Sequence, residues 1–285
     1  MKIETLHTFS SAISVFMETE IFKQSFGLRN FEEDKKDIEN IFYGENQKII
    51  GLNSVLHSNH IEIFSASKKY EEIKNDINIF PSGRDGIIIK DLKPESEKFA
   101  LLLCVADCSA ISFADKKGDF MGVVHAGHKG VATGMIQNLC DFFDKNTEEK
   151  NDVEIFIAPM LGKYFEFGRK LYEQNFSHIL DSQGLSFEEY FCGVDDTKGF
   201  LDLRGMIEDI FIKRGFQSQK IIFDKRETNN PQNNLPSYRL YTLHHHLQEK
   251  LKNNEKLNLL EKELQSSPFC DNYVEQRRIL VGVRN

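Results

Sequence analysis

Three short stretches of the sequence carry side chains that could hold a metal ion or act as a nucleophile. The first ends in the thiol of Cys108, and the second, residues 125–130, reads His-Ala-Gly-His-Lys-Gly. The third contributes His57 and His60. One thiolate with several imidazoles suits Zn²⁺ in a three-ligand site whose fourth position stays open. An open zinc site of this kind can polarise substrates and activate water.

The same residues also fit a purely structural role. The sequence contains no C-x-x-C or H-E-x-x-H motif, and separation along the chain gives no distance in space. A free cysteine such as Cys108 is often a small buried hydrophobe, and His125 would then be a hydrogen-bonded core histidine. The residue pattern alone leaves both interpretations open.

The candidate residues lie at the ends of predicted elements. Cys108 and His125 each lie where a predicted strand passes into a turn, and the second stretch opens a helix; rigid elements at such positions aim side chains into a cleft. Runs of β-branched and aliphatic residues predict strands at 48–52, 61–64, 86–89, 99–105, 109–113, 120–125, 153–158, 220–223 and 278–283. The continuous apolar run FALLLCVA indicates strands buried on both faces.

Helical periodicity appears in the second half of the chain. Val131, Met135, Leu139 and Phe142 form one apolar stripe, and further helices are predicted at 167–180, 203–215 and 241–264. We therefore expect the α+β class, with a mixed β-sheet core flanked by helices in a single domain spanning residues 1–285. The charged stretch at about 241–266 reads as a helical insertion in that domain.

Composition and charge limit the classes of partner. The chain has 285 residues, of which 40% are hydrophobic and 28% charged, and 36 basic against 44 acidic side chains give a net charge of −8. This balance argues against broad binding of nucleic acid. The longest apolar run has eight residues, too few to span a membrane. We expect a cytoplasmic monomer or homodimer without a secretory signal, and its five cysteines, odd in number and irregularly spaced, are expected to be reduced.

The core motifs resemble a known family. The stretch VADCSAISFAD, followed by FMGVVHAGHKGVATGM, resembles the core signature of the YfiH-like family, also called the laccase-domain or polyphenol-oxidase family. In the same order, SFGLRN, VLHSN, GRDGIIIKD, IAPMLGKYFEFG, FLDLRGMI and LPSYR resemble further family segments. The resemblance spans about residues 20–240 and the closing strand.

The resemblance implies both a metal site and an activity. It implies metal ligands at His57, Cys108 and His125, and zinc-dependent phosphorolysis of adenosine, inosine, guanosine and methylthioadenosine to free base and ribose 1-phosphate. Deamination of adenosine is implied as well, and some relatives are linked to editing of peptidoglycan precursors. Copper is expected only as an adventitious metal, because multicopper chemistry needs many paired histidines and the chain has nine in all.

Candidate substrate and proton-transfer residues follow from this reaction. Phosphate needs cationic partners, and Lys129 is the first candidate, followed by Arg29 and Arg239 in family-like segments. Cys108 and His125 are the central catalytic candidates. Asp107 is a candidate proton shuttle or a carboxylate that orients a histidine, and strand alternation, which points it away from Cys108, favours an orienting or structural role.

The sequence also departs from the family pattern. His128-Lys129 stands where the family has Trp-Arg; His128 could be an extra ligand or base, and we interpret it as a wall residue. His60 competes with His57 for the first ligand position. The run 244–246 is three consecutive histidines, whose side chains diverge by about 100° per residue on a helix and cannot converge on one ion. Glu227 occupies the position of an expected cysteine.

Two other functions use the same features. In a metal-free hydrolase acting on a small amide or a peptidoglycan precursor, Cys108 would be the nucleophile and His125 its base. In a non-catalytic module, the helical stretch 241–264 would recruit a partner.

Overall fold

The structure is a computed structural model in which two large β-sheets and a small one are combined with helices. It describes residues 3–18, 47–52, 57–67, 77–80, 83–93, 98–163, 166–233, 235, 237–253, 255–257, 262, 265 and 277–283. The strands are β1 (Ile3–Thr8), β2 (Ile13–Glu18), β3 (Gln47–Leu52), β4 (Ile61–Ser65), β5 (Ile77–Phe80), β6 (Gly86–Lys90), β7 (Lys98–Val105), β8 (Ser109–Asp115), β9 (Phe120–Ala126), β10 (Val153–Ile157), β11 (Glu166–Gly168), β12 (Phe191–Gly193), β13 (Lys198–Leu201), β14 (Ile221–Phe223) and β15 (Arg277–Val283). The helices are α1 (His128–Ala132), α2 (Met135–Asn146), α3 (Arg169–Ser182), α4 (Leu203–Lys213) and α5 (Tyr238–Lys252), with short 3₁₀ turns at Lys150–Asp152, Phe187–Glu189, Ser218–Lys220 and Pro231–Asn233.

The two large sheets contain both parallel and antiparallel pairs. One has the strand order β1-β2-β15-β7-β3-β5 and the other the order β14-β10-β8-β9-β6-β4. The small sheet has the order β11-β13-β12. In the second sheet β8 and β9 are antiparallel, as are β9 and β6, whereas β4 and β6 are parallel.

The hydrophobic core has two layers that share the second sheet. Alternate residues of its strands face opposite ways: Val123 and Ile87 belong to the core between the large sheets, and Val124 and Ile88 belong to the core beneath the helices. Every residue of β8 and β9 is buried. This double burial explains the uninterrupted apolar runs of the sequence.

The pairing directions bring several chain segments to one edge of the second sheet. β8 begins where β9 ends, since Ser109 pairs with Ala126. The starts of β6 and β4 lie at the same edge because Gly86 pairs with both Val124 and Ile61. The segments that precede β4, β6 and β8 and the one that follows β9 therefore meet there. These segments carry the candidate residues.

The predicted α+β class, with mixed sheets and flanking helices in a single domain, is confirmed. Each strand predicted from the sequence is present, with bounds that differ by a few residues. The predicted stripe from Val131 to Phe142 is buried, but it belongs to two helices, because Gly134 adopts the left-handed φ of 96° and ends α1. The segment predicted as a helix at 167–180 begins as a strand, and its helix starts at Arg169.

The C-terminal helical stretch contains α5, whose N-cap is Ser237; its hydroxyl accepts the N–H of Leu240. Leu240 and Leu247 are buried on one side of this helix. The treatment of 241–266 as an insertion and the bounds of the domain stay predictions. Within the described ranges, every helix is too short or too polar to cross a bilayer.

Candidate metal centre

His57, Cys108 and His125 come together from three separate segments at this sheet edge. Their candidate ligand atoms all lie within 4.8 Å of one another. The two imidazole rings meet nearly edge to face, with centroids 4.8 Å apart and planes at 85°. Among the described residues, these three form the cluster of histidine, cysteine and acidic side chains that could hold a metal ion.

His125 is the most deeply fixed member of the group. It lies on β9, one residue before the end of the strand, opposite Ala110 of β8, and its side chain is buried. Its backbone N–H donates to the carbonyl oxygen of Asp85 at 2.6 Å, and its Nδ1 lies 3.0 Å from Asp85 Oδ1. Backbone pairing and the side-chain hydrogen bond thus orient the same ring.

His57 reaches the site through a strained backbone conformation. Its φ is 58°, in the left-handed region that residues with a Cβ rarely adopt. The backbone N–H groups of His57 and Ser58 donate to the two carboxylate oxygens of Asp85 at 2.9 and 2.8 Å. These hydrogen bonds hold the turn in the conformation that directs it toward Cys108.

Cys108 has the electrostatics of a thiolate. Burial would raise the pKa of its thiol, but the charge and hydrogen bond of His125, with a further contribution from His57, lower that pKa to about 6. Burial acts to lower the pKa of His125, but the Cys108 thiolate and Asp85 outweigh it and raise the pKa to about 9. Both shifts favour the thiolate–imidazolium form of the Cys108–His125 pair in the metal-free protein.

Gly127 closes one side of the group. A Cβ at this position would lie 2.6 Å from Cys108 Sγ, 3.2 Å from His125 Cε1 and 3.3 Å from His57 Cδ2. All three candidate ligands therefore pack against its bare Cα. The family-like His-Ala-Gly motif places this glycine where a side chain would enter the site.

The donor set fits zinc. One thiolate and two imidazoles are ligands that Zn²⁺ accepts in three-ligand sites, and they are too soft for Mg²⁺ or Ca²⁺. A carboxylate hydrogen-bonded to the far nitrogen of a metal-binding histidine is the usual support of such sites, and Asp85 occupies that place relative to His125. His57, Cys108 and His125 would hold the ion.

Asp85 is the residue that the sequence analysis missed. Its only sequence signal was a position in the family-like segment GRDGIIIKD, directly before β6. On sequence alone, Asp107 is a candidate for the role of orienting a histidine. The structure shows Asp85 beside His125 and places Asp107 in a different network.

The Asp107 carboxylate ties the Cys108 turn to the C-terminal part of the chain. Its Oδ1 accepts the hydroxyls of Thr228 and Ser237 at 2.8 and 2.6 Å, and its Oδ2 accepts the backbone N–H of Arg239 at 2.9 Å. Both hydroxyl residues are fully buried. These contacts fix the start of α5 next to Cys108, and a catalytic role for Asp107 stays a prediction.

Two of the predicted phosphate-binding cations lie near the group. The charges of Lys129 and Arg239 both act on His128, whose ring centroid lies 6.5 Å from that of His57. Burial, followed by the charges of His57, Lys129 and Arg239, lowers the pKa of His128 to about 4. Lys129 is exposed and Arg239 half-buried. Arg29 lies outside the described residues.

The competing histidines take other positions. His60 is exposed, and its backbone N–H donates to Ser58 Oγ; it is not part of the three-residue cluster. The histidine run at 244–246 lies on α5 and likewise outside the cluster. His128 lies beside the cluster, and its interpretation as a wall residue stays a prediction.

A family profile described as multi-copper polyphenol oxidoreductase laccase matches residues 30–245. The chain belongs to this family. The segment matched includes His57, Cys108 and His125, so the predicted YfiH-like family is confirmed. No curated protein matches the chain.

Solved structures of similar fold include proteins of three bacteria. The chain is 14% identical to the hypothetical protein YfiH of Bacillus licheniformis, with a TM-score of 0.67, over 95% of this chain and 93% of that one. The chain is 15% identical to the Neisseria meningitidis protein NMB0706, with a TM-score of 0.66, over 99% of each chain. It is 16% identical to YlmD of Geobacillus stearothermophilus, with a TM-score of 0.67, over 96% of this chain and 92% of that one. At these identities the likeness establishes the fold.

Proposed function

We propose that the protein is a zinc-dependent enzyme that cleaves purine nucleosides with phosphate and also deaminates adenosine. The observation that carries this proposal is the convergence of His57, Cys108 and His125 within 4.8 Å at one sheet edge. Membership of the family supports the choice of substrate, because the resemblance of the core motifs to that family implies this activity. The copper in the family description is interpreted as adventitious here, because the cluster provides one mixed sulfur and nitrogen site.

The proposal assigns a separate task to each group of side chains. When bound, zinc would supply a Lewis acid that polarises the substrate and activates water. Cys108 would contribute a thiolate, and the two imidazoles would bind as neutral ligands, so metal binding releases a proton from His125. Because Gly127 has no side chain, no Cβ enters the space beside the three ligands.

Phosphorolysis needs phosphate beside C1′ of the ribose. The C1′–N9 bond breaks, a C1′–oxygen bond to phosphate forms, and the purine leaves with the electron pair and takes up a proton. In this proposal Lys129 and Arg239 bind the phosphate, since both charges act on His128 at the side of the cluster. Deamination replaces the C6 amino group of adenosine by the oxygen of water and releases ammonia.

A specific observation favours the hydrolase as a second candidate. Cys108, His125 and Asp85 form a connected series in which the thiol pKa is lowered to about 6 and the carboxylate hydrogen-bonds the far side of the imidazole. This arrangement resembles a Cys–His–Asp triad, which needs no metal. A small amide or a peptidoglycan precursor would be its substrate.

Metal analysis combined with nucleoside turnover tests the proposal. Purified protein is assayed for bound zinc and incubated with adenosine, with and without phosphate, and the products are separated by chromatography. Adenine that forms only with phosphate supports phosphorolysis, and inosine supports deamination. Cys108→Ser should abolish both, whereas Cys192→Ser is the matched control, since Cys192 is exposed on the small sheet.

Other outcomes discriminate between the alternatives. Loss of turnover with a chelator and its return with zinc favour the metal enzyme. Hydrolysis of an amide that persists in the chelator, and stops after alkylation of Cys108, favours the triad. Absence of any turnover, together with partner binding that survives Cys108→Ala, would favour a non-catalytic module.

A further inference from the structure

We propose that Asp85 is the positioning residue of the metal centre, holding both histidine ligands with one buried carboxylate. This inference rests on the proposed metal site and concerns how the chain prepares it. Asp85 is completely buried and directly precedes β6. Its position lets it reach the turn before β4 on one side and the end of β9 on the other.

The carboxylate is fully occupied by hydrogen bonds. Oδ1 lies 2.9 Å from the backbone nitrogen of His57 and 3.0 Å from His125 Nδ1, and Oδ2 lies 2.8 Å from the backbone nitrogen of Ser58 and 2.5 Å from its hydroxyl. An ionised carboxylate offers about four acceptor positions and no donor. These four contacts therefore use its whole capacity, which is consistent with a pKa lowered to about 2 despite the opposing effect of burial.

The contact with His125 fixes the orientation of that ring. Because an ionised carboxylate can only accept, Nδ1 of His125 must carry the hydrogen. The remaining ring nitrogen, Nε2, is then the one that can bind a metal after it releases its own proton. The backbone bond from His125 N–H to the carbonyl oxygen of Asp85 at 2.6 Å locks the two residues together.

The contacts with the turn before β4 offset an unfavourable backbone conformation. His57 has φ 58°, which costs on the order of 1 kcal/mol for a residue with a Cβ. The two N–H groups of His57 and Ser58 both point at Asp85 only while the turn keeps this shape. The backbone N–H of Asp85 donates in return to the carbonyl oxygen of His60 at 2.9 Å. These hydrogen bonds thereby position the imidazole of His57 in the cluster.

Asparagine is the informative substitution because it keeps the shape and removes acceptors. In Asp85→Asn, the new NH₂ group would face at least one of the N–H or O–H donors that the carboxylate now accepts. We expect the zinc dissociation constant to rise roughly 10- to 100-fold, as is typical when a carboxylate supporting a metal-bound histidine is lost. Affinity is measured by competition with a chromophoric chelator, and Co²⁺ absorption reports the thiolate and the coordination geometry.

A matched control separates positioning from general stability. Asp115 is also a buried carboxylate that accepts backbone N–H groups, from Phe120 and Lys117, but it lies at the opposite end of β8. Asp115→Asn should leave zinc affinity and the Co²⁺ spectrum unchanged, and its unfolding temperature shows how the loss of a buried carboxylate changes stability alone. If Asp85→Asn does not fold, Ser58→Ala removes one hydrogen bond to the same carboxylate, together with the acceptor of the His60 N–H, and should weaken zinc binding roughly two- to tenfold.

The possible results are distinct. Weakened zinc binding and an altered Co²⁺ spectrum in Asp85→Asn, but not in Asp115→Asn, support the inference. Three results overturn the inference while the proposed zinc site stands. The first is wild-type zinc affinity in a folded Asp85→Asn, and the second is an equal loss of zinc affinity in Asp85→Asn and Asp115→Asn. The third, where Asp85→Asn does not fold, is unchanged zinc affinity in Ser58→Ala. Wild-type protein that binds no zinc overturns the proposed function and this inference with it.

Discussion

Replacing Gly127 by alanine is expected to damage the metal centre while leaving the backbone unstrained. Gly127 has φ −87° and ψ 165°, a conformation that any residue adopts. The effect of the substitution should therefore come from the new Cβ alone. In the unfolded chain, alanine has less freedom than glycine, which by itself would stabilise the protein by about 0.4–1 kcal/mol.

The steric conflict is concentrated on the candidate ligands. The Cβ would lie 2.6 Å from Cys108 Sγ, about 1 Å closer than a comfortable contact, and 3.2 Å from His125 Cε1. Metal–ligand distances tolerate about 0.2 Å, so a sulfur displaced by about 1 Å no longer fits. Overpacking of this kind costs about 1–3 kcal/mol. If that strain falls on the metal-bound geometry, zinc affinity decreases roughly 5- to 150-fold.

The assay is a zinc competition titration of Gly127→Ala and of a control, Gly168→Ala. Gly168 also has a negative φ, and a Cβ there would meet nothing within 4 Å. We expect the control to bind zinc as the wild type does. Equal zinc affinity for Gly127→Ala and the wild type would refute the packing described here, because the sulfur could then not lie against Gly127 when metal is bound.

Four further predictions use other assays. In chelator-treated protein, the rate of Cys108 alkylation should rise with pH through about 6 and level off above it, because the thiolate forms at that pKa; a rise only above pH 8 would contradict the thiolate–imidazolium pair. His57→Ala should abolish stoichiometric zinc binding and His60→Ala should not, as measured by metal analysis of the purified variants. The opposite result would make His60, and not His57, the metal ligand. Arg239→Ala should raise the KM for phosphate about tenfold without changing zinc content, and an unchanged KM would remove Arg239 from the phosphate site. Asp107→Ala should lower the free energy of unfolding by about 2–4 kcal/mol, because it leaves two buried hydroxyls without an acceptor; denaturant titration measures this, and a change below 1 kcal/mol would contradict it.

The sequence predicted most of the central fold because its strands are buried on both faces. Runs such as FALLLCVA carry the apolar signal on every residue, and the predicted stripe on α1 and α2 is buried as expected. The N-terminal strands β1 and β2 were missed, since each is short and mixes polar with apolar residues. The three strands of the small sheet have three or four residues each, too few for a periodic signal.

The site was predicted as a set of residues but not as a network. Residue types and the family resemblance pointed to His57, Cys108 and His125, and the strand pairings bring them together. The position of Asp85 depends on the parallel pairing of β4 with β6, which no local pattern reveals. Likewise, the contacts of Asp107 join residues more than 120 positions apart. Long-range hydrogen bonds between turns leave no periodic trace in a single sequence.

Zinc K-edge X-ray absorption of the purified protein tests the metal centre most directly. We predict one sulfur at about 2.3 Å and two imidazole nitrogens at about 2.0–2.1 Å from the metal, with the remaining position held by a lighter atom from solvent or substrate. Cys108→Ser should remove the sulfur scattering, whereas Cys192→Ser should leave it. A zinc environment without sulfur, or one that keeps its sulfur in Cys108→Ser, would contradict the assignment of His57, Cys108 and His125 as the metal ligands.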